Sequence, residues 1–234
     1  MSNFCKNPTG ICLEVGAYDG ITGSATYVFE QRGWVAILVE PLPEMASSIR
    51  KHRKGPFFPI AAGPTQGTVT LHRSLEDPAI SSTGENSWQS ELYTIRQETT
   101  EDLEVEMRTL DWILEQASVS EIHFATIDVE GQEWAVLQGL DLKRWKPRVL
   151  LVEDNSRGLD SKVRNYLQAQ DYLCFHHSGV NDWYAHRDDK DLVHLSSLTR
   201  MQAWRLWRQL RHAIKGCLPS FLKSMLRKLK IAGE

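Results

Sequence analysis

The sequence predicts an α/β fold: an open, mostly parallel sheet wound on both faces by helices, with an antiparallel hairpin at its end. Three observations predict it. Apolar runs of strand length recur at 11–15, 35–39, 57–61, 122–127 and 149–152, and runs without polar alternation suit parallel strands buried on both faces. Amphipathic segments of helix length lie between them, near 23–32, 43–53, 109–118, 132–139 and 159–169, and this alternation is the pattern of a doubly wound sheet. Late in the chain, two further strand-like runs at 172–176 and 183–186 flank Ser178-Gly179-Val180-Asn181-Asp182, a polar turn that reads as a hairpin.

Taken in order, the first run ends in Glu14-Val15 and passes through Gly16-Ala17-Tyr18-Asp19-Gly20 into the first helix. The second run closes on Glu40, and the third ends at Ala61, with Ala62 just past it. Residues 73–106 break the rhythm: they are polar, include Ser81-Ser82-Thr83-Gly84 and an acidic stretch over 98–106, and lack a sustained period. A segment of this length is expected to be a functional lid or a disordered loop. Regular alternation resumes at Thr109 and continues to the hairpin, which places one domain over residues 1–195 and a separate extension over 196–234.

Composition narrows the function classes. At 234 residues and 41% hydrophobic, the chain can bury one sizeable core. Cys5, Cys12, Cys174 and Cys217 show no Cys/His ligand spacing, so neither a zinc site nor a disulfide framework is indicated, and a reducing, cytoplasmic setting is expected. No apolar leader and no run of roughly 18 apolar residues occurs, which predicts a soluble protein or one attached peripherally to a membrane surface.

The net charge of -3 conceals an asymmetry: residues 196–234 hold 9 Lys/Arg and one acid, leaving 18 basic and 29 acidic side chains in the first 195. In the tail, Met201, Trp204, Trp207, Leu210 and Ile214 recur at helical spacing. Gly216 and Pro219 interrupt, and Phe221, Leu222, Met225, Leu226 and Leu229 resume the pattern. Two basic amphipathic helices are expected, to pack on the domain, to join copies as a homo-oligomer, or to lie on an anionic membrane. Nucleic acid is disfavoured as a partner, because the acidic body repels phosphates.

The glycine turn is the first candidate site. Ligands of open α/β sheets bind beyond the carboxyl ends of the strands. Glu14, Gly16 and Gly20 sit at such an exit, ahead of a helix whose free N–H groups face the ligand. Glu40 closes the next strand about twenty residues later, where an acid accepts hydrogen bonds from ribose hydroxyls. Both NAD and S-adenosylmethionine satisfy this geometry. Tyr18 stands where a dinucleotide fingerprint has its second glycine, which counts against a pyrophosphate, and no GxxxxGK[ST] occurs.

The ordered blocks LEVGAYDGITGSAT, GWVAILVEPLPE, FFPIAAGPTQGTVTLH, MRTLDWILEQ, IHFATIDVEGQEWAVLQGL, PRVLLVEDN and GVNDWYAHR span residues 11–187. Together they resemble the FkbM family of S-adenosylmethionine-dependent methyltransferases. The resemblance implies a class I, Rossmann-like methyltransferase fold with a mostly parallel seven-stranded sheet. It implies that Glu14, Gly16, Asp19 and Gly20 hold the methionine part of the cofactor, Glu40 its ribose, and Ala61 and Ala62 its adenine. Asp128, also set against the cofactor, and Glu130 would face the crevice where a methyl group is delivered. Tyr18 departs from the family's usual Asn, and Glu153-Asp154-Asn155 lacks a frequent histidine.

Methyl transfer to a hydroxyl of a saccharide, glycolipid or glycosylated metabolite needs a positioned acceptor and a general base. Asp128, Glu130, Glu153 and Asp154 are the carboxylate candidates, with His176 as the neutral alternative. Glu133 reads as a solvent-facing residue of a helix's first turn, and His123 as a core residue. The carboxylates also suit Mg²⁺ by ligand type, although an ion is not the favoured reading. Trp88 and Tyr93, in the polar segment, are candidates for stacking on a sugar ring. The alternative function is a catalytically silent module recruited through the C-terminal helices. No GxSxG elbow supports hydrolase chemistry.

Overall fold

The structure, a computed structural model, describes residues 9–83, 99–156 and 160–217. The expected lid around Trp88 and Tyr93 and the second C-terminal helix over 221–229 lie outside them.

Seven strands form the main sheet: β1 (Ile11–Val15), β2 (Val35–Val39), β3 (Phe57–Phe58), β7 (Phe124–Ile127), β8 (Val149–Glu153), β9 (Tyr172–Ser178) and β10 (Asn181–His186). Their order is β3-β2-β1-β7-β8-β10-β9. The five central and early strands run parallel, while β10 lies antiparallel between β8 and β9. The expected hairpin is therefore present, with its second strand inserted inward.

Side-chain alternation explains why the strands are apolar throughout. Leu13, Val15, Ile37, Val39, Ala125, Ile127, Leu150 and Val152 face one core. It is covered by α3 (Leu110–Gln116), α4 (Glu133–Gln138), α5 (Leu142–Trp145) and α6 (Lys162–Ala169). Cys12, Ala36, Leu38, Phe124, Val149 and Leu151 face the other, covered through Phe29 and Ile49 by α1 (Tyr27–Glu30) and α2 (Ala46–His52). Burial on both faces removes the polar half of a strand's usual pattern. Thr109 and Asp141 cap α3 and α5 by accepting from Trp112 N and from Lys143 N and Arg144 N.

Two expectations are corrected. The run 57–61 is not one strand: β3 belongs to the main sheet, while β4 (Ala61–Ala62) joins β5 (Gly67–Ser74) and β6 (Thr100–Arg108) in a second, three-stranded sheet. The acidic stretch after 98 is likewise β-structure, paired antiparallel with β5 from Gly67↔Met107 to Ser74↔Thr100. Leu103, Val105 and Met107 alternate with acids, so one face packs on Leu71 and Ala61 while Glu104 and Glu106 face water.

The C-terminal helix α7 (Leu195–Cys217) begins on the domain. Met201 is buried in the main core, and Trp204 stacks on His177 of β9 with ring centroids 4.0 Å apart.

A buried ion network holds the chain that leaves β1. Arg53 Nη1 is 3.1 Å from Glu14 Oε2, and Arg53 Nε donates to Glu30 Oε2 at 2.6 Å, with the guanidinium fully enclosed. Arg53 also donates to Gly20 O at 2.8 Å and to Thr26 Oγ1 at 2.7 Å. Removing a buried cation leaves its carboxylates uncompensated, so Arg53→Ala is expected to cost about 3–5 kcal/mol in urea unfolding. Arg144→Ala, which breaks the exposed pair with Glu115, should leave the midpoint near that of the parent chain.

Candidate active site

A cavity of about 260 Å³ opens beyond the carboxyl ends of β1, β2 and β7. It is bounded by the turn after β1, by Glu40, by Ala61 and Ala62, and by Asp128 and Glu130 after β7. The segment around Ser82, with Leu71 and Pro78, closes the far side. Ser82 Oγ donates to Glu130 O at 3.1 Å.

The turn owes its shape to contacts within the protein. Gly16 has φ +83°, and a Cβ there would lie 1.7 Å from the carbonyl oxygen of Asp128. Only glycine lets the exit of β1 approach the exit of β7 so closely. Tyr18 adopts φ +48°, the left-handed region that Asn tolerates better than most side chains. Its N–H donates to Glu40 Oε2 at 2.8 Å, while Leu42 N donates to Glu40 Oε1 at 2.9 Å. Each Glu40 oxygen keeps one lone-pair site in use and one available, which suits a diol.

The expected cofactor residues divide into two groups. Gly16, Glu40, Ala61, Ala62 and Asp128 line the cavity. Glu14 lines it too, but its carboxylate is occupied: it accepts from Ser24 Oγ, Ala25 N and Thr26 Oγ1 at 2.8, 3.0 and 2.6 Å. Asp19 and Gly20 lie outside the lining. Asp19 caps its own loop by accepting from Ile21 N and Thr22 N, and Gly20 gives its carbonyl to Arg53. Thr22 and Gly23 take the places on the wall that Asp19 and Gly20 were expected to fill.

The carboxylate candidates converge. Asp128, Glu130 and Glu153 each bring an oxygen within 4.8 Å of the others. Burial, with the charges of Asp128, Glu130 and Glu133 nearby, drives the Glu153 carboxyl well above the usual range. Burial also raises Asp128. Two carboxylates this close share a proton more readily than both ionise. Glu153 is 8% exposed, and its Oε2 has no hydrogen-bond partner among the described residues.

Glu153 faces a second cavity of about 540 Å³, bounded also by Glu133, Trp134, Asp154, Asn155, Lys162 and Tyr184. The cluster thus stands between two hollows, with Asp128 and Glu130 on one and Glu153 on the other. Asp154 belongs to the second cavity alone and accepts from Ser156 Oγ. Glu133 is not solvent-facing: it is 6% exposed and folds back to accept from Val129 N and Gly131 N at 3.2 and 2.9 Å. The turn it grips places Glu130 at φ +54° and Gly131 at φ +93°.

His176 is brought to neither cavity. It is exposed on β9, the outermost strand, opposite Trp183, because strand β10 separates it from β8. Its neighbour His177 is bound to Asp182 at 2.7 Å. Asn181, at the start of β10, reaches the first cavity instead. Sequence reading missed it because the register of the inserted strand, Asn181↔Glu153, is set by tertiary pairing.

Comparison with known proteins gives one match: the family model described as methyltransferase FkbM domain matches residues 14–174, more than half of the chain. No curated protein and no solved structure matches.

Gly16→Ala and Gly23→Ala both place a side chain at positive φ, but a Cβ at Gly23 meets nothing within 4 Å. Gly23→Ala should therefore cost about 1–2 kcal/mol, and Gly16→Ala clearly more, as read from thermal unfolding. The buried carboxyls supply a pH signature. Glu40 and Glu133 are both pushed up to about 7 by burial, from an ordinary 4.5. The folded chain holds these protons to higher pH than the unfolded chain. Their contribution to stability is fully present below pH 4.5 and is lost as pH rises through about 7. Urea midpoints are expected to fall across that window, and less steeply in Glu133→Gln, which keeps an oxygen for Val129 N and Gly131 N.

Proposed function

The chain belongs to the FkbM methyltransferase family, and on that premise we propose that it transfers a methyl group from S-adenosylmethionine to a hydroxyl of a saccharide, glycolipid or glycosylated metabolite. One observation carries the reading: the carboxylate cluster separates a cavity with an available diol acceptor, Glu40, from a second cavity lined by Trp134 and polar side chains. Methyltransferases in general draw on S-adenosylmethionine. The residues present suit it, since Glu40 meets a ribose, Ala61 and Ala62 offer an apolar wall for a base, and Asp128 and Glu130 favour a positive charge.

When bound, S-adenosylmethionine supplies an electrophilic methyl group on a sulfonium. The chain's own residues supply orientation and the proton's destination. Tyr18 N and Leu42 N hold the Glu40 carboxylate in one rotamer, so its remaining lone pairs are preorganised. Glu133 fixes the 129–131 turn, and with it the positions of Asp128 and Glu130. At neutral pH the Asp128–Glu153 pair holds one proton, and the unprotonated oxygen takes the proton of an acceptor hydroxyl as that oxygen becomes nucleophilic. The same sharing relieves the crowding of charge without an ion, so no divalent cation enters the proposal.

Isothermal titration of S-adenosylmethionine tests the cofactor half: Glu40→Ala should weaken binding about 10- to 100-fold, the worth of a charged hydrogen bond. Transfer of labelled methyl to a glycolipid and polysaccharide fraction tests the rest. Asp128→Asn should bind the cofactor while losing about 10²- to 10⁴-fold in rate. A parent chain with no affinity for S-adenosylmethionine, or an Asp128→Asn variant of parental rate, would sink the proposal.

A further inference from the structure

Helix α7 carries two apolar faces. Met201 and Trp204 form one and are docked on the domain. The other points away: Leu206, Trp207 and Leu210 are 59%, 54% and 54% exposed. At about 100° per residue, Ala203, Leu206, Trp207 and Leu210 follow the i, i+3, i+4, i+7 rule along one stripe. Ile214 continues that stripe in the sequence. A helix that only packed on its domain would be polar there.

Charge distinguishes the possible occupants. From Leu195 to Cys217 the helix has Arg200, Arg205, Arg208, Arg211 and Lys215 and no acidic residue. On the docked side, Arg205 lies 3.8 Å from Asp182 and Arg208 sits over the Trp204 ring at 5.0 Å. Arg200 is exposed beside the outward stripe. In a two-fold dimer through this face the same cationic helices would meet, since such an interface pairs a patch with itself. An anionic lipid surface instead accepts the Trp and Leu side chains at the headgroup boundary and attracts Arg200 and the net positive charge of the helix. Among the described residues no helix is long and apolar enough to cross a membrane, which leaves a surface orientation.

We propose that the outward face of α7, Leu206, Trp207 and Leu210 with Arg200 beside them, docks the protein on an anionic membrane surface. The full chain should co-sediment with phosphatidylcholine vesicles containing roughly one-third phosphatidylglycerol and not with phosphatidylcholine alone, and raised salt should release it. Leu206→Glu with Leu210→Glu should weaken this binding at least about 10-fold, and Leu206→Gln with Leu210→Gln should weaken it as well. Both positions are exposed, so thermal unfolding should match the parent chain. Equal binding by parent and variants, equal binding to both vesicle types, or no binding by the parent would overturn the proposal. So would a parent dimer that these substitutions dissociate, because the face would then belong to a second copy.

Discussion

The site depends on a backbone contact that leaves no room for a side chain: Gly16 lies against the carbonyl of Asp128. Two strand ends meet there, β1 bringing the turn that frames one cavity and β7 bringing Asp128 and Glu130 toward Glu153 at the end of β8. Gly16 N and Ala17 N donate to Val39 O at 3.0 and 3.1 Å, and Asp128 N donates to Val15 O at 3.0 Å. The exits of β2, β1 and β7 are thereby tied in sequence. Arg53 secures the outer part of the turn by joining Glu14, Gly20, Thr26 and Glu30. A charged network so enclosed is costly to desolvate, and its compensation is a fixed geometry.

Fixity at one end of the sheet is matched by electrostatic tension across it. Glu40, Glu133 and Glu153 are held where burial favours their neutral forms. Glu40 and Glu133 relieve part of that cost by accepting two backbone N–H groups each. Glu153 does not: its Oε2 has no such partner among the described residues. Buried carboxyls without full hydrogen bonding are poor structural elements and good proton carriers. The distinction separates Glu133, which shapes a turn, from Glu153, which can exchange a proton.

The parallel strands were legible because burial on both faces strips their polar residues, and Glu40 was legible because strand spacing put it at the right exit. The second sheet was hidden by its acids, since Leu103-Glu104-Val105-Glu106-Met107 alternates with period two inside a stretch read for its charge. Gly16 carries a constraint that the sequence did not show: a Cβ there would strike the carbonyl of Asp128, 112 residues away in the chain. Asp19 looked like a contact because it sits in the right turn, yet a short acid in a loop satisfies its own backbone first. His176 lies away from both cavities for a topological reason, as strand order places β9 last although the chain reaches it before β10.

That strand order also explains why the cluster can serve two cavities at once. An antiparallel β10 beside β8 ends its pairing at Asn181↔Glu153, so a polar residue that starts one strand lies level with a carboxylate that ends another. A parallel neighbour would have brought the end of a strand there, and its crossover would have filled the space beyond Glu153. The inserted strand instead turns away through Gly179 at φ +63°, leaving Glu153 between Asp128 on one side and an open hollow on the other. The two carboxyls of that pair therefore line different hollows, Asp128 the first and Glu153 the second.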